Sequence, residues 1–162
     1  MPENKIYHLF YQSPVGWLKI EATDKAVTSI GFLENGDAAD DPNTLTKEAF
    51  RQLKEYFAKK RTIFDLPLEL TGTDFQKTVW TELLKIPFGK TISYLELAKW
   101  IGNLKAIRAV GHANGQNPLP IVIPCHRVIG SDGSLTGYGG GLWRKKWLLQ
   151  HEGIPTQLEL KF

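Results

Sequence analysis

The residue best suited to covalent chemistry is Cys125, the only cysteine in the chain. His126 and Arg127 follow it directly, and the apolar run 121–123 precedes it. The thiolate is the reactive form of cysteine, and neighbouring cations stabilise it. The pattern therefore predicts a nucleophilic thiol where a buried strand gives way to a loop, a common position for reactive groups. The alternative is a buried cysteine that only fills space in the core.

A base for this thiol is predicted at His126. Neighbouring side chains of an extended chain point to opposite faces, so we expect His126 to act on Cys125 through a bridging water. Such a base usually needs an acid that orients it, and Glu152 and Asp132 are the two candidates. We expect no metal site, because the single cysteine and the four scattered histidines lack the spacing of zinc ligands.

The bulk composition fits one compact unit or two small lobes in 162 residues. Apolar residues make up 42% of the chain, but their runs are short, so no segment is expected to span a membrane. The N-terminus lacks a basic start followed by an apolar run, so no secretory signal is expected. A single cysteine excludes an internal disulfide and suggests a reducing compartment, so we expect a cytoplasmic protein.

The net charge of +3 conceals an uneven distribution. Residues 1–75 contain nine Lys and Arg against twelve Asp and Glu, whereas residues 76–162 contain eleven against five. A basic half next to an acidic half favours a polyanionic partner such as nucleic acid. A solvated surface of uneven composition would give the same counts, so charge alone does not decide between these interpretations.

An N-terminal domain, residues 1–72, is predicted to be a small antiparallel sheet with one helix that supports the rest of the chain. β-branched and aromatic residues, separated by turn signals, mark three strands, which are residues 5–12, 15–22 and 26–33. Apolar residues at helical spacing predict a helix over 44–60. Residues 64–71 return to an extended form, and Pro67 limits them to the edge of a sheet.

A C-terminal domain, residues 73–162, is predicted to be mostly helical. Capping boxes begin helices after Thr73 and Ser93. A tight turn at 102–104 joins the second of these to a helix over 105–113, and this pair predicts a helix-turn-helix that carries Arg108. A helical hairpin without a nucleic-acid role is the alternative. A glycine-rich loop, 130–141, and a last helix, 142–151, complete the domain.

Several motifs of the C-terminal domain resemble those of one family. The run 117–128, NPLPIVIPCHRV, is similar to the active-site signature of O6-alkylguanine-DNA alkyltransferases. The similarity continues in GYGGG at 137–141 and KWLLQHEG at 146–153, and it includes FQKTVW at 75–80, Ser93-Tyr94 and RAVG at 108–111. It covers the whole second domain, whereas the first domain resembles the family only in size, strand content and position.

The resemblance implies an α/β (α+β) fold, with a ribonuclease H-like N-terminal lobe and a winged-helix-like C-terminal lobe. It implies direct reversal of DNA damage, in which O6-alkylguanine in double-stranded DNA gives its alkyl group to the protein stoichiometrically and irreversibly. O4-alkylthymine stays open as a second substrate. The damaged base would be flipped out while the helix-turn-helix binds the minor groove. No cofactor, metal or obligate protein partner is implied, and a monomer is expected.

The resemblance also implies catalytic roles for five residues. Cys125 is the alkyl acceptor, His126 takes its proton through a water, and Glu152 orients His126. Asn117 braces the turn before the active-site run. Tyr94 donates a proton or a hydrogen bond as guanine leaves, which stabilises the charge that develops on the purine.

For DNA binding, the resemblance implies that the backbone at Cys125 and Val128 hydrogen-bonds the base and that Arg108 enters the stack in place of the flipped nucleotide. Small residues keep the helix over 105–113 slim, and a glycine-rich loop with few side chains leaves room for the lesion. These residues are Ala109, Gly111 and Ala113 in the helix, and Tyr138, Gly139 and Gly140 in the loop. Gly139 stands where the family commonly has Ser or Ala, which removes a contact to the base or widens the pocket.

Three other functions are consistent with parts of the sequence. A lesion binder related to alkyltransferases but without transfer activity would lack the acceptor cysteine, which is present here. A winged-helix transcription regulator would explain the basic helix but not the Pro-Cys-His-Arg sequence at 124–127. A cysteine hydrolase would explain Cys125 and His126, but it would turn over and would not need Arg108. DNA-dependent alkylation of Cys125 separates all three from alkyl transfer.

Overall fold

Three neighbouring strands form the sheet of the N-terminal unit in the computed structural model, which describes residues 5–36 and 39–156. The strands are β1 (Tyr7–Ser13), β2 (Gly16–Ala22) and β3 (Val27–Leu33), and they pair antiparallel in the order β1-β2-β3. Alternate side chains of β2, Leu18, Ile20 and Ala22, are fully buried, as the period of two requires when one face of a sheet covers a core. The three predicted strands are confirmed.

Helix α1 (Thr44–Phe57) packs against this sheet. It begins with a capping box in which the Asn43 side chain accepts from the amide of Thr46 and the Thr46 hydroxyl accepts from the amide of Asn43. Leu53 and Tyr56 on its inner face are fully buried. The helix ends at Phe57 rather than at residue 60, because Lys59 has a φ of 62°, which the helix cannot contain.

Residues 64–71 are extended, as predicted, but form no regular strand. They meet the sheet through one parallel bridge between Val27 and Leu68, in which the amide of Val27 donates to the Pro67 carbonyl at 2.8 Å. Pro67 has no amide N–H with which to extend this pairing. The chain divides just after this segment into two units, Met1–Thr71 and Gly72–Phe162, one residue before the predicted domain boundary.

The C-terminal unit consists of short helices and one pair of very short parallel strands. Its helices are α2 (Asp74–Leu83), α3 (Tyr94–Ile101), α4 (Ile107–Gly115) and α5 (Leu142–His151), and its strands are β4 (Ile92–Ser93) and β5 (Val128–Ile129). Both predicted capping boxes are present, Thr73 with Gln76 at α2 and Ser93 with Glu96 at α3. The mixed α/β fold expected from the sequence is therefore the one observed.

Helices α3 and α4 pack together as the predicted helix-turn-helix. Helix α3 ends at Gly102, whose φ of 84° is the left-handed conformation that glycine adopts readily. The helix predicted over 105–113 is divided into a 3-10 turn, Leu104–Ala106, and α4 itself. None of the helices within residues 5–36 and 39–156 is both long and apolar enough to cross a lipid bilayer.

The apolar run before Cys125 is not a strand, so the prediction of a buried strand there is wrong. The run pairs through one bridge in the described chain, between Pro120 and Ile123. Ile121 has a φ of 76°, which is incompatible with an extended strand. Prolines also remove backbone donors at three positions, 118, 120 and 124. Every residue from 119 to 128 is nevertheless buried, so the run is apolar because it fills the core.

Candidate active site

Cys125 begins a 3-10 turn, Cys125–Arg127, and its side chain is 4% exposed. Its carbonyl accepts from two donors, the amide of Val128 and, at 3.3 Å, Nδ2 of Asn114. A carbonyl oxygen has two lone pairs, so the Cys125 carbonyl already has its full set of partners. The amide of Val128 is engaged as well. That the backbone at Cys125 and Val128 hydrogen-bonds the base stays a prediction, and these two backbone groups already have partners within the protein.

Asn117 holds the turn that precedes Cys125. Its Nδ2 donates to the Ile123 carbonyl at 2.7 Å, and its Oδ1 accepts from the amide of Leu119 at 2.9 Å. Two backbone groups that a strand would have paired are thus satisfied by one side chain. This is the placement that the resemblance implies for Asn117.

His126 and Arg127 both contact Glu152, which directly follows α5. Nε2 of His126 lies 2.7 Å from Oε2 of Glu152. Arg127 donates from Nε to Oε1 at 2.8 Å and from Nη2 to Oε2 at 3.0 Å. The side chains of His126 and Glu152 are fully buried. The carboxylate therefore orients the imidazole and neutralises the guanidinium at the same time.

Asp132, the other candidate acid, lies elsewhere. It is exposed, and its Oδ1 accepts from the amide of Ser134 at 3.0 Å within the glycine-rich loop. This local bond is the usual one for Asp in a turn. Within the described ranges, no group of three or more His, Cys, Asp and Glu side chains is arranged to hold a metal ion.

The charge state of the buried pair follows from its partners. Burial raises the pKa of Glu152, but hydrogen bonds and charge from His126 and Arg127 outweigh burial and hold this pKa well below its usual range. Burial lowers the pKa of His126, although Glu152 acts in the opposite direction. We therefore assign a neutral His126 that donates its Nε2–H to an ionised Glu152. Nδ1 of His126 has no hydrogen-bond partner among the described residues, so it carries the free lone pair.

The thiol of Cys125 is not the thiolate that its flanking cations predict. Burial raises its pKa to about 11, although a hydrogen bond with Asn117 and the charge of Lys145 act in the opposite direction. Arg127 does little for the thiol, because its guanidinium is paired with Glu152. The resting thiol is therefore protonated at pH 7, and a nucleophile forms only when a base removes the proton.

Lys145, on α5, is a site residue that the sequence reasoning missed. It is fully buried, and burial lowers the pKa of its ammonium group to about 8. Its Nζ donates to three oxygens: the Tyr94 hydroxyl at 3.3 Å, the Thr136 carbonyl at 3.1 Å and the Gly137 carbonyl at 3.3 Å. The sequence did contain a signal for Lys145. It is spaced from Leu148 and Glu152 so that all three lie on one helix face, which indicates that this face is buried.

A cavity of about 500 Å³ lies between α3, α4 and the glycine-rich loop. It is lined by Tyr94, Gly111, His112, Asn114, Gly115, Gln116, Thr136, Gly137, Tyr138 and Gly139. Four predicted site residues, Tyr94, Gly111, Tyr138 and Gly139, are thus brought together. Tyr94 donates its hydroxyl proton to the Thr136 carbonyl at 3.0 Å, and burial raises its pKa. Gly140, in contrast, is buried, and its carbonyl accepts from Arg144.

The outer face of α4 carries Arg108 and Ala109, both exposed. Gly111 faces the Tyr94 ring, where an added Cβ would lie 3.7 Å from the nearest ring atom. Ala113 is only 2% exposed, and its carbonyl accepts from Nε1 of Trp80 at 2.9 Å. Ala113 therefore faces the core rather than the surface expected to approach DNA. The helix repeat of 3.6 residues explains this, because position 113 lies five residues after 108, about 140° around the helix, and so does not share its face.

Two family models match adjacent parts of the chain. The 6-O-methylguanine DNA methyltransferase DNA binding domain matches residues 74–154, and the ribonuclease-like domain of the same family matches residues 6–70. The chain belongs to the 6-O-methylguanine DNA methyltransferase family. The unit that carries Cys125 corresponds to the family's DNA binding domain, and the N-terminal sheet corresponds to its ribonuclease-like domain, as the resemblance of the motifs implied.

Relatives within this methyltransferase family match over nearly their full length. The methylated-DNA–protein-cysteine methyltransferase of Methanosarcina acetivorans is 43% identical over 154 residues, covering 91% of this chain and 99% of its own. The Mycobacterium tuberculosis protein of the same name is 46% identical over 161 residues, covering 96% and 97%. The crystal structure of M. tuberculosis OGT in complex with DNA has a TM-score of 0.83 at 45% identity, covering 94% of this chain and 98% of that one.

Proposed function

We propose that this protein repairs alkylated double-stranded DNA by moving the alkyl group from O6 of guanine to Sγ of Cys125, once per molecule. The observation that carries this proposal is the buried His126–Glu152 pair, 2.7 Å apart, next to the single cysteine of a chain that belongs to the methyltransferase family. The name of its relatives, methylated-DNA–protein-cysteine methyltransferase, supports the same reaction. The C-terminal unit binds DNA and accepts the alkyl group, and the N-terminal unit supports it.

Proton removal begins at His126. Its Nε2–H is donated to Glu152, so Nδ1 is the available base, and it takes the Cys125 proton through a water. The imidazolium that results is stabilised by the ionised Glu152. This arrangement suits a thiol whose pKa is raised to about 11, because the thiolate forms at the moment of reaction and not before.

Alkyl transfer is a displacement at an sp3 carbon. A bond forms between Sγ of Cys125 and the alkyl carbon, the bond from that carbon to O6 breaks, and its electron pair stays on the guanine. Tyr94 gives its hydroxyl proton to the guanine anion, and the Lys145 ammonium, 3.3 Å from the Tyr94 oxygen, stabilises the phenolate. The products are guanine in DNA and a thioether on Cys125, which water does not readily cleave, so the protein does not turn over.

The damaged base reaches the cavity only after it leaves the duplex. Extrusion costs about a few kcal/mol, and Arg108, exposed on α4, offsets this cost by filling the gap in the stack. Ala109 beside it permits close approach of α4 in the minor groove. Gly139 places no side chain in the cavity wall, and a Cβ there would lie 3.1 Å from the Gly115 carbonyl, so a larger residue at this position would push the loop away from α4.

We also propose that the protein acts as a monomer in the cytoplasm, with no cofactor and no obligate protein partner. The single cysteine suits a reducing compartment. Every group that the reaction uses, from the base to the proton donor, lies in one unit of this chain, Gly72–Phe162.

Intact mass measurement tests the proposed reaction. The protein is mixed with duplex DNA that contains one O6-methylguanine, and its peptides are then mapped. We expect the mass of one CH₂ group to be added to the Cys125 peptide, with no more than one addition per chain. Binding without a mass change would indicate a lesion binder or a regulator. Release of the alkyl group with repeated turnover would indicate a hydrolase.

Substitution of Lys145→Met is expected to slow methyl transfer about 100-fold, the lower end of the range for loss of one group that stabilises charge in a transition state. The same variant should be more stable than the wild type at pH 7, because a buried ammonium is removed. The folded pKa of about 8 lies below the unfolded value of about 10.4. Wild-type stability should therefore rise between these pH values, and the variant should lack this rise. Single-turnover rates and urea unfolding at pH 7 and 9.5 measure both effects.

Lys146→Met is the matched control, since Lys146 is half-buried on the same helix and lies outside the Tyr94 contacts. It should change neither the transfer rate nor the rise of the free energy of unfolding between pH 7 and 9.5. A Lys145→Met variant that transfers methyl groups at the wild-type rate would remove Lys145 from the mechanism.

Substitution of Arg108→Ala is expected to slow transfer from duplex DNA about 10- to 100-fold, because extrusion then lacks the side chain that fills the gap. Transfer from the same lesion in single-stranded DNA should change much less. Lys105→Ala is the control. Lys105 is exposed, and loss of a cation that binds phosphate should weaken binding to both substrates and reduce the salt dependence of binding. If Arg108→Ala slowed transfer from duplex and single-stranded DNA equally, Arg108 would be assigned as a phosphate contact instead.

A further inference from the structure

Arg127 is a buried charged residue to which the proposed reaction gives no role. It is 5% exposed and ends the 3-10 turn that begins at Cys125. Its guanidinium donates to both oxygens of Glu152, and its Nη1 donates to the Ile86 carbonyl at 2.6 Å. The centroid of the Phe88 ring lies 5.8 Å from its Cζ. The guanidinium is therefore held in one orientation against the carboxylate.

His126 and Arg127 share one oxygen of Glu152. This oxygen, Oε2, accepts from Nε2 of His126 at 2.7 Å and from Nη2 of Arg127 at 3.0 Å. The other oxygen, Oε1, accepts from Nε of Arg127 at 2.8 Å and from the amide of Gly89 at 3.3 Å. The negative charge of the carboxylate is thus divided between an imidazole and a guanidinium.

The charge balance of this buried cluster depends on Arg127. A guanidinium stays ionised in proteins, so it cancels the charge of Glu152 while His126 is neutral. Without the guanidinium, the cluster would contain a buried carboxylate whose charge has no counterpart, which is costly. The imidazole would then take up a proton to form an ion pair with the carboxylate. Its Nδ1 would carry that proton and could not accept the one from Cys125.

The other groups around His126 act in a consistent direction. Burial is the main cause that lowers the pKa of His126, Glu152 acts in the opposite direction, and the charges of Arg127 and Lys145 act with burial. The neighbouring Cys125 thiol adds no negative charge at pH 7, because burial raises its pKa to about 11. The imidazole therefore lies in the field of one carboxylate and two cations.

We infer that Arg127 is a positioning residue that keeps His126 neutral, and therefore able to accept the thiol proton, by neutralising Glu152. This inference rests on the proposed function, in which His126 is the base. The reaction needs an imidazole that is oriented and also unprotonated at Nδ1. A buried carboxylate alone would orient the imidazole but would also protonate it. The bidentate contact with Arg127 leaves Glu152 able to accept the Nε2–H without drawing a second proton onto the ring.

The pH profile of methyl transfer tests this inference. Single-turnover transfer from O6-methylguanine in duplex DNA is measured between about pH 5 and 9, the range in which a histidine titrates. Arg127→Gln removes the charge and keeps a hydrogen-bond donor. The fall in its rate at low pH should begin about one pH unit or more higher than in the wild type, the effect of one nearby charge. The ratio of the variant rate to the wild-type rate should therefore rise as the pH rises.

Nitrogen NMR of isotope-labelled histidine gives a second readout that needs no DNA. At pH 7 the wild type should contain a neutral His126 protonated at Nε2, whereas Arg127→Gln should contain an imidazolium. The loss of one signal in His126→Gln identifies this residue among the four histidines. A wild type that transfers no methyl group would contradict the proposed function, and the NMR result would still decide the role of Arg127.

Arg127→Lys keeps the positive charge with fewer hydrogen bonds. Its rate should fall at the same pH as that of the wild type, although its rate is lower throughout. Arg144→Gln is the matched control, because Arg144 is a half-buried arginine of the same unit whose Nη1 donates to the Gly140 carbonyl at 2.6 Å. It should leave the pH profile and the state of His126 unchanged.

A purely structural role for Arg127 predicts a different result. Arg127→Gln would then slow transfer by the same factor at every pH, and His126 would stay neutral at pH 7. That outcome would overturn the inference. If Arg127→Gln does not fold, Arg127→Met, which has a longer apolar side chain, is measured by the same two readouts.

Discussion

Cys125→Ser is expected to bind DNA containing O6-methylguanine as tightly as the wild type and to transfer no methyl group. The two side chains have nearly the same shape, so the cavity and the DNA-binding face of α4 are unchanged. An alcohol is a much weaker acid than a thiol and a poorer nucleophile toward an sp3 carbon, even with His126 as its base. Intact mass after a long incubation measures transfer, and a fluorescence binding titration measures affinity.

Two further results make this experiment decisive. Cys125→Ala should behave like Cys125→Ser, since neither has a sulfur atom to alkylate. Methylated wild-type protein should also fail to react with a second DNA molecule. Alkylation of Cys125→Ser at any other residue would show that the acceptor has been assigned wrongly.

Glu152→Gln is expected to destabilise the protein by about 3 kcal/mol or more, because it leaves the Arg127 charge buried without its partner. Both oxygens of Glu152 accept from Arg127, at 2.8 and 3.0 Å, and one also accepts from His126 at 2.7 Å. Transfer should slow at least about 100-fold, the lower end of the range for general acid–base catalysis. Urea unfolding and single-turnover rates measure the two effects.

The pH dependence of this loss has a definite sign. The pKa of Glu152 is lowered in the folded state, so its contribution to stability is present above the unfolded pKa of about 4.3 and is lost as the pH falls further. The stability difference between wild type and Glu152→Gln should therefore shrink below about pH 4.3. Glu82→Gln is the control, because it breaks only a surface pair with Lys85, which is worth at most about 1 kcal/mol. A Glu152→Gln variant as stable as this control would mean that Arg127 finds another partner.

Local patterns in the sequence were sufficient wherever a local rule governs the structure. The capping boxes at Thr73 and Ser93 depend on residues three positions apart, and both are present. Strand β2 alternates in burial as its sequence does. The strand predicted before Cys125 was wrong, because an apolar pattern fits a buried strand and a buried turn equally well. The prolines and the positive φ of Ile121 decide for the turn.

The candidate site depends on contacts between distant residues, and these were predictable only through the family motifs. Nothing in the local sequence pairs His126 with Glu152, whereas the resemblance does, and the structure brings them to 2.7 Å. The opposite error concerns charge. His126 and Arg127 adjoin Cys125 in sequence, yet both turn to Glu152, and the cation near the thiol is Lys145 from α5. Adjacency along the chain did not predict which charge faces which atom.

The raised pKa of the Cys125 thiol bears on how long an unused molecule stays competent. A protein that reacts once cannot recover from a wrong reaction, so its working lifetime depends on chemoselectivity. At pH 7, a thiol with a pKa of about 11 is ionised in only about one molecule in ten thousand. Peroxides and small electrophiles attack the thiolate of exposed cysteines. Burial and protonation together therefore keep the sulfur unreactive until a lesion binds, and binding of the lesion makes it reactive.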